Sequence, residues 1–444
     1  MTVWVGPAVS AGDMGRVGGA GRHTGAMDAA ARTRAAERAL ERADPAQRAL
    51  PVLFTAGALS RAVGRDVSVT RIRYKPGASV VVGFVSDGGD GSGSASGSGS
   101  VEHGWLAGYH DDAKVDKVLR DAEAVGAEAR RIAPGIVVGT AAADRTIATP
   151  FARLRDAHPE LVASARVIRH NPMRRLVFRG MDAGQQVAVK VTPRSHRPEL
   201  CAVELLEFLG AWGVPVLPLR RMRGVRTAVA SEWWGDGDLA GAAGAAGAAS
   251  TVSAAAFAAG EALAALHVLG GVDDPLVQRV RTGDAARHAR LRTSPARAAG
   301  AIGAIVPDLG DRAARLARVL RPRLEAARSR CQPTLLHGDF SPDQVLVGAG
   351  QTRLIDFDAV TWDAPERDLG SFAAVALMLG RPELTESLVD GYRAAGRSVD
   401  DAALRAWTAF GLLGRAVEPF REYEPQWVAG ITRIVAAAEA EVAR

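Results

Sequence analysis

The sequence predicts an α+β fold in two lobes, and three observations carry that expectation. β-like runs crowd the first half, among them Val67–Tyr74, Val80–Val85, Val187–Val191 and Thr227–Ser231. Beyond Ser250 the apolar residues recur at helical spacing, as in Ala254–Leu269, Ala313–Arg330 and Asp401–Val417. The chain has 444 residues, too many for one core and enough for two or three sub-structures. Hydrophobic residues are 48% and charged residues 23%, which excludes a disordered, collagenous or coiled-coil chain.

Residues 1–45 read as a mobile tail with one helical patch, Ala29–Arg42. Residues 46–165 read as an accessory unit: a short helix over Leu50–Gly64, then strand, Pro76-Gly77 turn and strand. The Gly/Ser tract Gly88–Ser100 is a hairpin loop or linker, because no helix N-terminus follows it to bind phosphate. Residues 166–235 repeat the pattern. Ile72-Arg73-Tyr74-Lys75-Pro76 followed by Val80-Val81-Val82 is echoed by Ile168-Arg169-His170-Asn171-Pro172 followed by Leu176-Val177-Phe178. The third strand of the second copy, Val187-Ala188-Val189-Lys190-Val191, holds a lysine; its counterpart near Trp105–Tyr109 does not. Glu199–Trp212 is a helix on the apolar face of Leu205, Leu206, Phe208 and Leu209. Residues 236–444 form the helical lobe.

The net charge, 55 − 49 = +6, is modest, and the arginines are scattered, so nucleic acid is not an expected partner. Lysine occurs only at Lys75, Lys114, Lys117 and Lys190, and asparagine only at Asn171; both scarcities fit a GC-rich coding bias. Cys201 and Cys331 make no disulfide framework, and no histidine or cysteine spacing predicts a structural zinc. The apolar run Ala240–Ala265 is interrupted by Ser250, Thr251, Ser253 and Glu261, so no membrane span is expected, nor a signal peptide. The expected location is the cytoplasm.

The chemistry concentrates in Leu335-Leu336-His337-Gly338-Asp339-Phe340-Ser341-Pro342-Asp343-Gln344 and in Leu354-Ile355-Asp356-Phe357-Asp358. An apolar pair leads out of the core, a polar loop presents a carboxylate and, five residues on, an amide. A later strand ends in a second carboxylate. Such a set suits phosphoryl transfer: one carboxylate takes a hydroxyl proton, and the other with an amide oxygen gives hard ligands for Mg2+.

These two motifs resemble those of the aminoglycoside phosphotransferase family, with some likeness to maltokinase-like members. The resemblance covers roughly residues 165–440. It implies a protein-kinase-like bilobal fold with a small β-rich N-lobe, preceded here by an extra cap unit, and a large helical C-lobe. It implies a kinase using ATP and Mg2+, with Asp339 as catalytic base and Asp356 and Gln344 as metal ligands. Gln344 stands where the family has asparagine. Lys190 resembles the phosphate-contacting lysine, Glu204 its ion-pair partner, and Ser231-Glu232-Trp233 the adenine-binding hinge. Trp233 and Trp234 read equally as packing residues, and Lys190 also reads as a surface lysine. Asp368 resembles the aspartate that ties down the catalytic loop, or is a helix cap. His337 is a loop histidine bonding backbone. Asp358 assists the metal or caps a turn. Arg174 and Arg175 are expected to face solvent.

The partner is a small-molecule hydroxyl compound: an aminoglycoside, sugar or amino-alcohol. Asp343, Asp363, Glu366, Glu418, Glu422 and Glu424 are candidates for an acidic acceptor wall. The alternative is a kinase-shaped protein without turnover that binds nucleotide or a protein partner.

Overall fold

A computed structural model describes residues 21–87, 101–193, 202–244, 249–283 and 294–444. Helices α1 (Gly21–Ala43), α2 (Ala49–Phe54) and α3 (Ala58–Val63) lead into a first sheet. It holds β1 (Ser68–Lys75), β2 (Ser79–Asp87), β3 (Val101–Tyr109), β4 (Ala129–Ala133) and β5 (Ile136–Thr140), with α4 (Asp112–Glu123) after β3. Helices α5 (Ala148–Ala157) and α6 (Pro159–Ala163) lead into a second sheet. That sheet holds β6 (Arg166–Asn171), β7 (Arg175–Asp182), β8 (Gln185–Val191), β9 (Arg220–Met222) and β10 (Val225–Glu232), with α7 (Ala202–Ala211) after β8.

The two sheets share one topology. Their orders are β1-β2-β3-β5-β4 and β6-β7-β8-β10-β9, antiparallel throughout. The sequence echo is thus a duplicated unit. Register fixes the equivalences: Tyr74 pairs with Val80 as His170 pairs with Leu176, and Val81 pairs with Ala107 as Val177 pairs with Lys190. Ala107 therefore stands where the second sheet has Lys190, and Trp105 where it has Ala188. Side chains alternate along a strand, so these positions share one face. In the first sheet that face is filled: Trp105 is buried against Val115 and Val118 of α4, and its indole N–H donates to the Thr140 carbonyl at 2.8 Å. The first unit is a cap with no lysine at that position.

Both copies use the same clasp. Asp44 accepts the Gly77 N–H at 2.9 Å and the Tyr74 hydroxyl at 3.2 Å. Asp144 accepts the Met173 N–H at 2.6 Å and meets His170 Nε2 at 3.0 Å. The β6–β7 turn is further held by the cap, since Pro172 lies against Gly83 and Met173 packs on the cluster around Trp105.

Two expected boundaries move. Residues 21–43 are helix, with Leu40 and Thr33 buried, so the tail reading fails there. The unit boundary falls near Thr140, not at 165, because Ile147, Leu154 and Leu161 bury against Phe178 and Val189 of the second sheet. Residues 1–20, the Gly88–Ser100 tract and Cys201 lie outside the described residues; the strands that the tract joins, β2 and β3, pair in register.

After β10 come β11 (Gly237–Asp238), α8 (Leu239–Gly244), α9 (Ala249–Val268), α10 (Pro275–Thr282), α11 (Pro295–Gly303) and α12 (Pro307–Arg330). Four short strands carry the motif loops: β12 (Thr334–Leu336), β13 (Val345–Gly348), β14 (Gln351–Leu354) and β15 (Thr361–Asp363). The chain ends in α13 (Glu366–Met378), α14 (Glu383–Ala394), α15 (Asp401–Arg415), α16 (Glu418–Arg421) and α17 (Trp427–Ala443). This is the expected α+β arrangement, with the sheets in the first half and the helices in the second. Among the described residues α9 with the turn after it is the one helix long and apolar enough to cross a membrane, and 61% of its apolar window is buried inside the protein. It crosses α14 so closely that a methyl group at Gly260 would meet the Leu388 carbonyl at 2.0 Å. A continuous core joins the cap to the C-lobe: Leu50, Ile72, Val82 and Leu106 share it with Leu320, Leu413, Trp427 and Ile431.

Candidate active site

Leu335 and Leu336 are fully buried in β12, which pairs with β15 and delivers the loop His337–Gln344 to the lobe interface. The chain turns at Gly338, φ 86°, and a Cβ there would lie 1.9 Å from the Ala359 carbonyl oxygen. Only glycine fits. Asp368, fully buried at the start of α13, accepts the N–H groups of His337 at 2.7 Å and Gly338 at 2.9 Å. It also meets His267 Nε2 at 3.3 Å, and His267 Nδ1 meets the Tyr392 hydroxyl at 2.8 Å. Burial alone would raise the Asp368 carboxyl; the bond and charge of His267, His337 and the Gly338 amide outweigh it and hold it below the usual range. The loop-tying reading of Asp368 is what the structure shows. His337 Nε2 donates to the Ile355 carbonyl at 2.8 Å, so this ring is a strut.

Asp356 ends the β14 segment in a left-handed conformation, φ 66°, which aspartate tolerates better than most residues. Its carboxylate receives Lys190 Nζ at 2.8 Å and Arg175 at 2.9 Å. Lys190 also bonds Asp358. Burial would push the Asp356 carboxyl up, but Lys190 and Arg175 hold it well below the usual carboxylate range, so it is ionised at neutral pH. Lys190 is 4% exposed and keeps its charge because the two aspartates offset the cost of burial. The surface-lysine reading is therefore overturned.

Gln344 is buried. Its amide nitrogen donates to Asp343 at 3.3 Å, and its Oε1 has no hydrogen-bond partner. A buried carbonyl oxygen left bare is costly unless something electropositive meets it. Together with Asp356 and Asp358, this oxygen fits a hard divalent ion. Among the described residues no group of three carboxylate, imidazole or thiolate side chains could hold a metal.

Asp339 faces an open cavity of about 1310 Å³ at the lobe junction. Its side chain is 64% accessible, and Oδ1 accepts Arg415 Nη2 at 2.9 Å. The cavity walls push its carboxyl upward and Arg415 opposes them; the water reaching an accessible carboxylate weakens the first effect.

Other expected site residues sit elsewhere. Glu204 does not pair with Lys190: Val203, Leu205, Leu206 and Leu209 take the inward face of α7, leaving Glu204 exposed and bonded to Arg221 at 3.0 Å. The Trp233 N–H donates to the Gln186 carbonyl at 2.9 Å, prolonging the β8–β10 pairing, and its ring lies under Arg179. Trp234 likewise lies against Arg353. Both tryptophans are packing residues here. Ser231 is buried in mid-strand opposite Ala188, its hydroxyl unpartnered. Between the lobes, Val177 and Ala188 close directly onto Leu346 and Ile355. Of the expected acidic wall, Asp343, Glu418, Glu422 and Glu424 line the cavity. Asp363 and Glu366 do not: Asp363 is buried against Arg328 at 2.8 Å and Arg367 at 3.3 Å, and Glu366 is buried.

Sequence reasoning missed Arg415, Arg71 and His267, and it turned Arg175 outward. Arg175 instead points at Asp356, with 20% of its side chain exposed, whereas Arg174 is exposed as expected. Alternation along β7 carried the signal, since Arg175 shares a face with Val177, the cross-strand neighbour of Lys190.

Residues 164–407, more than half of the chain, match the family model described as the phosphotransferase enzyme family, APH. The chain belongs to that family and is a phosphotransferase. No curated protein matches it. Among solved structures it is similar to the spectinomycin phosphotransferase APH(9)-Ia in complex with ADP and spectinomycin, at 14% identity and TM-score 0.44, covering 62% of this chain and 92% of that one. It is similar to ADP-bound APH(2'')-Ib, at 15% identity and TM-score 0.45, covering 66% and 98%. It is also similar to choline kinase from Cryptosporidium parvum Iowa II, at 9% identity and TM-score 0.44, covering 62% and 88%. The family membership rests on the match over residues 164–407.

Proposed function

We propose that this phosphotransferase moves the γ-phosphoryl group of ATP to a hydroxyl of a small molecule bound in the cavity at the lobe junction. One observation carries the reading: Lys190 bonds both Asp356 and Asp358, and Asp358, Gln344 and the accessible carboxylate Asp339 line one cavity. Asp356, Asp358 and Gln344 are the residues that would hold Mg2+, which when bound neutralises charge on the phosphate oxygens. Lys190 and Arg175 place two positive charges at the same point and suit those oxygens. Asp339 takes the acceptor's hydroxyl proton. Arg415 engages Oδ1, and Oδ2 is the oxygen assigned to that proton. A positioned base contributes typically ~10²–10⁴-fold, and orientation and electrostatics supply the rest.

The adenine would lie between Val177 and Ala188 above and Leu346 and Ile355 below. These side chains now touch, so the lobes must part for nucleotide to enter. The same contact is what favours the second reading, a kinase-shaped protein without turnover.

Thermal shift with Mg2+ and ATP, followed by ATP turnover against a panel of hydroxyl compounds, tests the choice. Stabilisation that Asp356→Ala abolishes, with turnover that Asp339→Asn removes while nucleotide binding stays, is the expected result. Full metal-dependent stabilisation of the Asp356 variant would refute the ligand set. Nucleotide binding without turnover on any acceptor, indifferent to Asp339→Asn, would establish the second reading.

A further inference from the structure

The cavity wall is not the acidic surface that a polycationic amine would need. Arginines outnumber carboxylates in it, seven to six. Its principal carboxylates are already engaged: Asp339 with Arg415 at 2.9 Å, Glu418 with Arg71 at 2.7 Å and Arg421 at 2.6 Å, and Glu422 with Arg71 at 3.5 Å. Arg71 comes from the cap, so the cap contributes directly to this wall.

Three arginines of the wall, Arg169, Arg279 and Arg433, make no side-chain ion pair or hydrogen bond among the described residues; Arg279 and Arg433 are exposed, whereas Arg169, on β6, is partly buried. Burial, together with the neighbouring guanidinium groups of Arg175 and Arg71, pushes its pKa down. A guanidinium cannot shed its proton at physiological pH, so a partly desolvated one beside two others stores unfavourable energy until an anion arrives. Arg169 pairs with Val177 and so shares the sheet face of Arg175 and Lys190, but those two, bonded to Asp356, are the cations assigned to the nucleotide phosphates. The opposite charges that act on Arg169 are Asp343 and Glu422, both on the acceptor cavity wall.

We infer that the phosphate acceptor carries, besides its hydroxyl, an oxyanion — a carboxylate or a phosphate — and that Arg169, flanked by Arg71, is the residue that reads it. The inference rests on the kinase reading above and names its substrate class. The planar fork of arginine matches both oxyanions in two-bond geometry, whereas a neutral sugar or an aminoglycoside leaves Arg169 as it stands.

The test uses the full chain saturated with Mg2+ and a non-hydrolysable ATP analogue, so that the nucleotide phosphates are in place. Glucuronate and glucose 6-phosphate, the carboxylate and phosphate arms, are titrated calorimetrically against glucose and kanamycin. The expected result is binding of at least one anion at millimolar concentration or below. Arg169→Gln weakens it roughly tenfold to a hundredfold, the worth of a charge-assisted bond, and leaves the affinity for the analogue unchanged. Arg169→Lys, which keeps the charge without the fork, restores part of the loss and serves if the glutamine variant does not fold. Binding of glucose or kanamycin with neither anion bound overturns the inference and leaves the kinase reading standing. So does anion binding that is indifferent to both variants. Failure of the Mg2+–analogue complex itself to form counts against the kinase reading, and the dependence of anion binding on Arg169 then still decides this one.

Discussion

Replacing Asp368 by asparagine should loosen the catalytic loop without touching any group that meets a substrate. Asp368 accepts two backbone N–H groups, at 2.7 and 2.9 Å, and faces His267 at 3.3 Å; Asp368, His337 and His267 are buried and Gly338 is half-buried. Asparagine keeps the shape but offers one acceptor oxygen and turns an NH2 group toward a donor. Losing the charge on one such bond costs about 1.5–3 kcal/mol, and a buried donor left unsatisfied about 1–3 kcal/mol. The variant should therefore be roughly 3–5 kcal/mol less stable. At about 2 cal/mol/K per residue of unfolding entropy, that lowers Tm by roughly 3–5 °C if the chain unfolds as one unit. The carboxyl is held below its unfolded value, so its contribution is complete above about pH 4 and is lost as pH falls through the lower folded value. The gap between wild type and variant should then narrow in acid. Amide exchange resolved at His337 and Gly338 is the direct assay, with expected loss of protection there and not in α9. Unchanged protection and unchanged Tm would refute the account of how this loop is held.

Other expected outcomes follow from single contacts. Gly338→Ala must displace the Ala359 carbonyl, 1.9 Å from the added carbon, and must also hold φ 86°. The left-handed conformation alone costs about 1–2 kcal/mol, so denaturant titration should show a loss larger than that; equal stability would contradict the turn geometry. Lys190→Ala should weaken ATP binding by roughly ten- to a hundredfold, the worth of one charge-assisted bond, in equilibrium titration. Unchanged affinity would transfer the phosphate contact to Arg175.

The motif loop was legible because its chemistry is local. His337, Gly338, Asp339, Gln344, Asp356 and Asp358 lie within 22 residues, and the strands between them are too short to carry them apart. Lys190 was legible for a different reason: it is a rare residue on a strand. The misses are long-range pairings. Arg415 reaches Asp339 across 76 residues, and nothing near either residue announces it. Glu204 was misplaced because spacing along α7 says which face is apolar, not that the polar face looks outward rather than toward β8. The duplication showed faintly as strand, proline turn and strand. Its full extent, down to the paired clasps of Asp44 and Asp144, needed the register of both sheets.

A two-lobed enzyme with a single linker can gape like a clam. This chain has a second fastening at the back. The cap grips the second sheet at Pro172 and Met173 and is welded to the C-terminal helices through Leu50, Ile72 and Trp427, with Tyr423 tied to the Leu53 carbonyl at 2.7 Å. The three bodies close a ring, and the middle one is a keystone. Any displacement of that keystone strains both fastenings, and whatever stiffens the cap is felt first at the Pro172–Met173 turn.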